Sequence, residues 1–261
     1  MPVVPTRLRP GPDGRYGGIV AERSTSFGRA AHDYARGRPG YPDDAVAWLL
    51  DGVEGRVLDL GAGTGKLTES VLRTRHEVLA MDPDPVMLAT LEAHVPRAAT
   101  MRGRAEEIPL EDGSVAAVVL GQAWHWVDVE AASAEIARVL APGGVLGLVW
   151  NIRDERDPWM AGLTRVIGHS TAESLIDGDG PRVAAPLGPL EAWESAWTRA
   201  VTGEALRALV RSRSSYITGS EALRRDIDAA LDVMVARTPG LADGGTVDMH
   251  YRTHAYRARV A

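Results

Sequence analysis

The sequence predicts an α/β protein built on a doubly wound, mostly parallel sheet of about seven strands, and three observations predict it. Between Arg56 and Val149, short apolar runs alternate with helix-length amphipathic stretches. One run, Val115 to Leu120, is apolar throughout, as a strand covered on both faces must be. A glycine-rich turn, Gly61-Ala62-Gly63-Thr64-Gly65, joins the first run to the helix after it. Strands separated by helices of this length run parallel, with right-handed crossovers.

Residues 1–23 are rich in Pro, Gly and Arg without periodicity and are expected to form a disordered tail. From Ser26, the residues Phe27, Ala30, Ala31, Tyr34 and Ala35 recur at helical spacing until Gly37, Pro39, Gly40 and Pro42 break the pattern. A second helix carries Val46, Leu49 and Leu50 on one face. Val57-Leu58-Asp59-Leu60 is a buried strand, Lys66 to Thr74 its helix, and Glu77 to Met81 the next strand. The helix from Pro85 to His94 opens with proline in its first turn, where the missing N–H costs nothing. Ala98 to Arg102 is a short third strand and Val115 to Leu120 a fourth. An amphipathic helix, Glu130 to Leu140, is stopped by Pro142-Gly143-Gly144 before a fifth strand, Val145 to Trp150. A helix at Trp159 to Ile167 follows, then a loop rich in Gly and Pro to Pro189, and a strand at Glu191 to Val201. Helices at Gly203 to Arg211 and Glu221 to Ala236 precede the last strand, Thr246 to Arg259, where Val247, Met249, Tyr251 and Thr253 alternate with polar residues. The two late strands are expected to extend the sheet as an antiparallel edge pair. Trp193 and Trp197 share one strand face and are read as packing residues. Without repeats or a second evident core, residues 24–261 are expected to form one domain.

Composition narrows the function classes. Hydrophobic residues at 45% and charged residues at 25% exclude wholesale disorder. No apolar run approaches the roughly 20 residues of a membrane helix, and the first seven residues offer no apolar core for secretion, so a cytoplasmic protein is expected. The absence of cysteine removes disulfides, thiolate metal sites and cysteine nucleophiles together. His32, His169, His250 and His254 have no ligand cluster around them, so no metal is expected. A net charge of −6, with no basic stripe interleaved with aromatics, speaks against a nucleic-acid partner. Lys66 is the sole lysine, which we read as genomic base composition.

Three ligands compete for the turn from Asp59 to Thr68, and spacing separates them. A Walker A loop needs glycine where Leu60 stands and a hydroxyl where Leu67 stands. A nicotinamide loop needs its third glycine at the position of Lys66, and usually an apolar residue in place of Asp59. The observed Gly-x-Gly-x-Gly after an acidic strand end resembles the first motif of class I S-adenosylmethionine (SAM)-dependent methyltransferases, whose fold is Rossmann-like. The resemblance implies cofactor contacts from Asp59, Gly61, Ala62, Gly63, Thr64 and Gly65. Asp82 ends the second strand, and a carboxylate there can accept hydrogen bonds from both ribose hydroxyls, with Pro83 and Met87 following it. Its alternative role is to cap the helix at Pro85.

The segment Gly103 to Leu110 is similar to the one that lies along the adenine in such enzymes. By that resemblance Ala105 contacts the base and Glu106 faces its exocyclic amine; alternatively, Glu106 and Glu107 start a short surface helix. Gln122-Ala123-Trp124-His125-Trp126 follows the fourth strand, where the family places residues between cofactor and substrate. Gln122 is therefore assigned to the cofactor, and Trp124 and Trp126 to the substrate pocket or the sulfonium. The run Leu140-Ala141-Pro142-Gly143-Gly144 is also typical of the family. One departure is Ala116, where many relatives carry aspartate; a local stability cost is expected.

Phe27-Gly28-Arg29-Ala30-Ala31-His32-Asp33-Tyr34, continuing to Arg38-Pro39-Gly40-Tyr41-Pro42, resembles a small-molecule branch similar to trans-aconitate methyltransferase. Ser212-Arg213-Ser214-Ser215-Tyr216 weakly echoes a sub-branch. The resemblance implies a helical lid at residues 24–55, a SAM-binding core at 56–151, and an extension at 152–261 that completes the sheet and substrate pocket. Tyr34 would close over the methionyl end, Arg38 would pair with its carboxylate, and Tyr41 would join the substrate wall; helix packing and turn capping are the alternatives.

Methyl transfer from a sulfonium is an in-line displacement for which the protein supplies alignment and a dry site. A base is needed only for an acceptor that arrives protonated. His125, expected beside the methyl position and near-neutral in titration, is the catalytic candidate, against the alternative of a hydrogen-bonded loop histidine. The expected function is methyl transfer from SAM to a small-molecule acceptor, releasing S-adenosylhomocysteine. The alternatives are a SAM-binding protein of the same fold that does not methylate, and a nicotinamide oxidoreductase. The acceptor's identity and homodimer formation stay open.

Overall fold

The computed structural model describes residues 37–260. The expected tail, the first helix and Tyr34 lie outside the described residues. The elements run α1 (Asp43–Leu49), β1 (Val57–Leu60), α2 (Lys66–Arg73), β2 (Val78–Asp82), α3 (Pro85–His94), β3 (Ala99–Arg102), β4 (Val115–Gly121), a 3₁₀ turn (Trp124–Trp126), α4 (Val129–Val139) and β5 (Leu140–Arg153). They continue with α5 (Pro158–Ile167), α6 (Thr171–Asp177), β6 (Glu191–Thr202), α7 (Gly203–Arg211), α8 (Ser214–Ile217), α9 (Glu221–Arg237), α10 (Pro239–Ala242) and β7 (Thr246–Arg259).

One sheet of seven strands has the order β3-β2-β1-β4-β5-β7-β6. The first five strands are parallel, and β7 inserts antiparallel between β5 and β6. This is a Rossmann-like α/β fold, mostly parallel with an antiparallel late pair. Strand order reverses between β1 and β4, and the crevice beyond the carboxyl ends of those two strands is where open α/β sheets bind ligands.

The apolar strands bury both faces. Leu58, Leu60, Val118, Leu120, Leu146 and Leu148 face one core, into which α4 sends Ile136 and Val139. Val57, Val119, Val145 and Val149 face the other, against Leu49 of α1 and Leu67 and Val71 of α2. A third cluster joins α5, α7 and α9 to β6 and β7 through Leu163, Leu209, Ile227 and Met249. Trp193 stacks on Trp48, with centroids 6.3 Å apart, and Trp197 on Tyr251 at 4.9 Å, so both pack.

Two sequence expectations are corrected here, and one alternative reading is excluded. The fifth strand begins at Leu140, directly after α4: Leu140 pairs with Val115 and Val145 with Ala117, and the break residues Pro142-Gly143-Gly144 sit in the irregularity between those pairings. The expected loop before Pro189 contains α6, whose start is fixed by a capping box between Ser170 and Glu173. The helix at Pro85 is capped by Asp84, which accepts from the Val86 N–H, and not by Asp82. Among the described residues no helix is long and apolar enough to cross a membrane.

Candidate functional site

The turn after β1 is built by glycines in the left-handed region. Gly61 has φ +71°, and a Cβ there would stand 2.8 Å from the Ala123 Cβ, closing the gap between the loops after β1 and β4. Gly65 has φ +88°, and its Cβ would strike the Leu91 side chain at 2.8 Å, so α2 could not dock on α3. The turn is tied to β2 by the N–H groups of Gly61 and Ala62, which donate to the Met81 carbonyl at 2.8 and 3.0 Å.

Asp82 closes this arrangement. Its Oδ2 accepts from the Gly63 N–H and its Oδ1 from the Asp84 N–H, each at 2.8 Å. Burial raises its carboxyl to about 6 against the pull of those two hydrogen bonds. Asp59, behind the turn, is fully buried and raised by that burial to about 7. It accepts from the Thr68 hydroxyl at 2.5 Å, while its Oδ1 has no hydrogen-bond partner among the described residues.

Beyond the carboxyl ends of β1, β2 and β4 lies a cavity of about 930 Å³. Of the residues singled out from sequence, Arg38, Gly61, Gly63, Asp82, Pro83, Met87, Ala105, Glu106 and Gln122 line it, together with His125 and Trp126. Asp59, Ala62, Thr64 and Gly65 do not; they belong to the turn's framework. Tyr41 lines a smaller adjoining cavity and backs Gly121, whose Cβ would meet the Tyr41 Oη at 2.5 Å. Trp124, expected in the substrate pocket, is 2% exposed and packs in the core, with its indole N–H donating to the Arg182 carbonyl at 2.9 Å. The 3₁₀ turn separates it from Trp126 because successive side chains diverge by about a third of a turn.

Glu106 and Glu107 start no helix: an antiparallel bridge between Arg104 and Glu107 makes a tight turn. Glu106 is fixed by the Arg104 guanidinium at 3.1 Å and the Asp128 N–H at 3.0 Å. Gln122 holds φ +58°, a strained value for a residue with a side chain. Its side-chain amide donates to the Asn151 carbonyl at 2.9 Å.

His125 departs from expectation. Burial, and then the positive charge of Arg38, lower its imidazole to about 4, so it is neutral through the physiological range. Its Nδ1 is buried without a hydrogen-bond partner among the described residues, and its ring lies 4.8 Å from that of Trp126. Sequence reasoning missed Ser170, Thr171 and Ala172 at the start of α6, and Ser214 in α8, all of which line the cavity. The Ser-x-x-Glu spacing at 170–173 is the signal that could have found the first of them.

Comparison with known proteins agrees with this architecture. Residues 58–148 match a family model described as a methyltransferase domain. An uncharacterized methyltransferase of Mycobacterium tuberculosis is 44% identical, covering 92% of this chain and 98% of the relative. A methyltransferase-like protein of Schizosaccharomyces pombe is 33% identical over 86% of this chain and 91% of its own length. A solved structure from Anaeromyxobacter dehalogenans, assigned as a type II methyltransferase, superposes with a TM-score of 0.60 at 23% identity, covering 85% of this chain and 98% of that one.

Proposed function

The chain belongs to the methyltransferase family and has the class I fold, and on that premise we propose that it transfers the methyl group of SAM to a small-molecule acceptor. One observation carries the reading: the buried Asp82 carboxylate and the glycine turn after β1 face one cavity at the sheet's switch point.

The residues present fit the cofactor. A turn that side chains would close at Gly61 leaves room for an extended ligand along the ends of β1 and β4. Both Asp82 oxygens are oriented by backbone N–H groups, and each retains a lone pair for a ribose hydroxyl. Ala105 and Met87 offer apolar surface to a base, and Glu106, anchored by Arg104 and Asp128, offers acceptor capacity at its edge. Arg38 would hold the methionyl carboxylate.

Bound SAM supplies a methyl group already activated on a sulfonium. The chain's own part is alignment and exclusion of water. A neutral His125 suits that task, because an imidazolium would repel the sulfonium across the same cavity. As a base it is weak, which favours an acceptor that arrives deprotonated. A volume near the top of the ~300–1,000 Å³ range of small-ligand sites supports a small acceptor beside the cofactor.

The test is turnover. The purified protein is expected to bind SAM and S-adenosylhomocysteine in preference to NAD, and to release S-adenosylhomocysteine with a member of a panel of carboxylic acids, phenols and amines. Binding of NAD alone would overturn the assignment, and SAM binding without product from any acceptor would favour the non-methylating alternative.

A further inference from the structure

The half-buried ring of His125 borders the large cavity, but its two nitrogens are not equivalent there. Nδ1 is sealed from solvent and has no hydrogen-bond partner among the described residues. The edge that reaches the cavity is therefore the opposite one, which carries Nε2. The positive charge of Arg38 is felt at the ring, so His125 stands toward the end of the cavity given above to the methionyl arm. That is the end where the reactive methyl would lie. Helix α6 packs against the 3₁₀ turn that carries His125 and brings Thr171 and Ala172 to the same cavity.

A neutral imidazole has one N–H, and its surroundings decide which nitrogen keeps the proton. A proton on Nδ1 would bury a donor with nothing to receive it, and orphaned buried N–H groups are rare. A bare lone pair at Nδ1 is the smaller loss. The proton then sits on Nε2, on the open side, where a ligand can accept it. Burial first, and then Arg38, keep the ring neutral, so it offers the cavity a donor and no charge.

A donor at this place discriminates between nucleophiles. An amine nitrogen has one lone pair, which must attack the methyl, and its remaining N–H groups would only face another N–H. An ionised oxygen has lone pairs to spare. We propose that the Nε2–H of His125 donates to the oxygen that takes the methyl group, so the acceptor is an oxygen nucleophile that arrives without its proton. The inference rests on the methyltransferase reading and names the class of its acceptor. One lone pair of that oxygen forms the O–CH₃ bond as the S–CH₃ bond breaks. The S–C bonding pair stays on the sulfur of S-adenosylhomocysteine, while a second oxygen lone pair keeps the hydrogen bond. His125 is thus a specificity-determining residue and moves no proton.

The test is nitrogen-15 NMR and titration calorimetry on the full chain at neutral pH. The His125 signals, assigned by their loss in His125→Gln, are expected to show the proton on Nε2 and none on Nδ1. Protein saturated with S-adenosylhomocysteine is then titrated with 4-nitrophenolate, benzoate and octanoate against 4-nitroaniline, benzylamine and octylamine. At least one oxygen ligand is expected to bind about tenfold or more tighter than its nitrogen counterpart and to move the Nε2 signal. In His125→Phe that preference should fall about tenfold while S-adenosylhomocysteine affinity stays within about twofold. His125→Gln, whose amide N–H can reach the Nε2 position, should keep most of it. A proton on Nδ1, no preference for oxygen, or a preference unchanged in His125→Phe overturns the proposal. So does a parallel loss of S-adenosylhomocysteine affinity in that variant, which would give the donor to the cofactor. Should His125→Phe fail to fold, the proton position and the Nε2 response in the unaltered protein decide. Failure of S-adenosylhomocysteine to bind at all overturns the methyltransferase reading instead.

Discussion

Asp82 is half-ionised near pH 6 in the ligand-free protein because burial outweighs its two backbone hydrogen bonds. Only the carboxylate accepts from two ribose hydroxyls at once, so ligand binding must expel the proton below that pH. The affinity for S-adenosylhomocysteine is therefore expected to rise from pH 5 to pH 7 and then level. Calorimetry should show this, with Asp82→Asn weakening binding about tenfold and flattening the profile. Folding stability runs the opposite way. The folded values of Asp82 and Asp59 lie above the unfolded 3.8, so the stability they contribute is full below about pH 4 and is lost as pH rises through about 6 and 7. Asp59→Asn should reduce that loss in urea melts recorded between pH 4 and 8; an unchanged slope would show that Asp59 stays ionised. The turn itself is just as exacting. Gly65→Ala puts a Cβ 2.8 Å from Leu91 at φ +88°, and is expected to cost about 1–3 kcal/mol in urea denaturation.

Among the elements, α6 is held by a buried charge. Burial alone would raise the Glu173 carboxyl, but Arg153, Arg213 and the Ser170 N–H hold it at about 2. Its folded value lies below the unfolded 4.5, so its stabilising contribution is present above about pH 4.5 and is lost as pH falls toward 2. Glu173→Gln leaves two buried guanidiniums facing a neutral amide and should cost about 3–5 kcal/mol in urea denaturation at neutral pH. It should also soften the loss of stability on acidification. This helix was missed in the sequence because its apolar period, Ala172, Leu175 and Ile176, spans barely one turn between Gly168 and the glycines at 178 and 180. By contrast, β1 and β4 were legible because strands buried on both faces are apolar almost throughout, with Asp59 the one charged exception in β1. α4 ends at Val139, ahead of Pro142-Gly143-Gly144, and a local irregularity at those residues lets the chain pair with β4 from Leu140 onward, which composition does not reveal. Trp124 and Trp126 are alike as letters, and only the 3₁₀ turn decides which one faces the cavity.

On the scale of the whole molecule, the sheet is closed by its last strand. β7 pairs with β5 along nine residues and with β6 along twelve, and among the described residues β6 has no other neighbour in the sheet. The alternating residues of Thr246 to Arg259 announced a strand, but its place inside β6 is set by pairings with β5 about a hundred residues away that no local pattern encodes. A chain ending before Thr246 is expected to lose cooperative unfolding in a thermal melt; an intact sharp transition would show that the parallel half folds alone. The same long-range order brings the turns after β1 and β4 to one crevice, and the functional reading depends on that meeting. A crystal structure with S-adenosylhomocysteine tests it most directly. We predict both ribose hydroxyls within about 3 Å of the Asp82 carboxylate and the methionyl arm along Gly61 and Gly63. A ligand seated elsewhere, or a ribose that makes no hydrogen bond to Asp82, would contradict it.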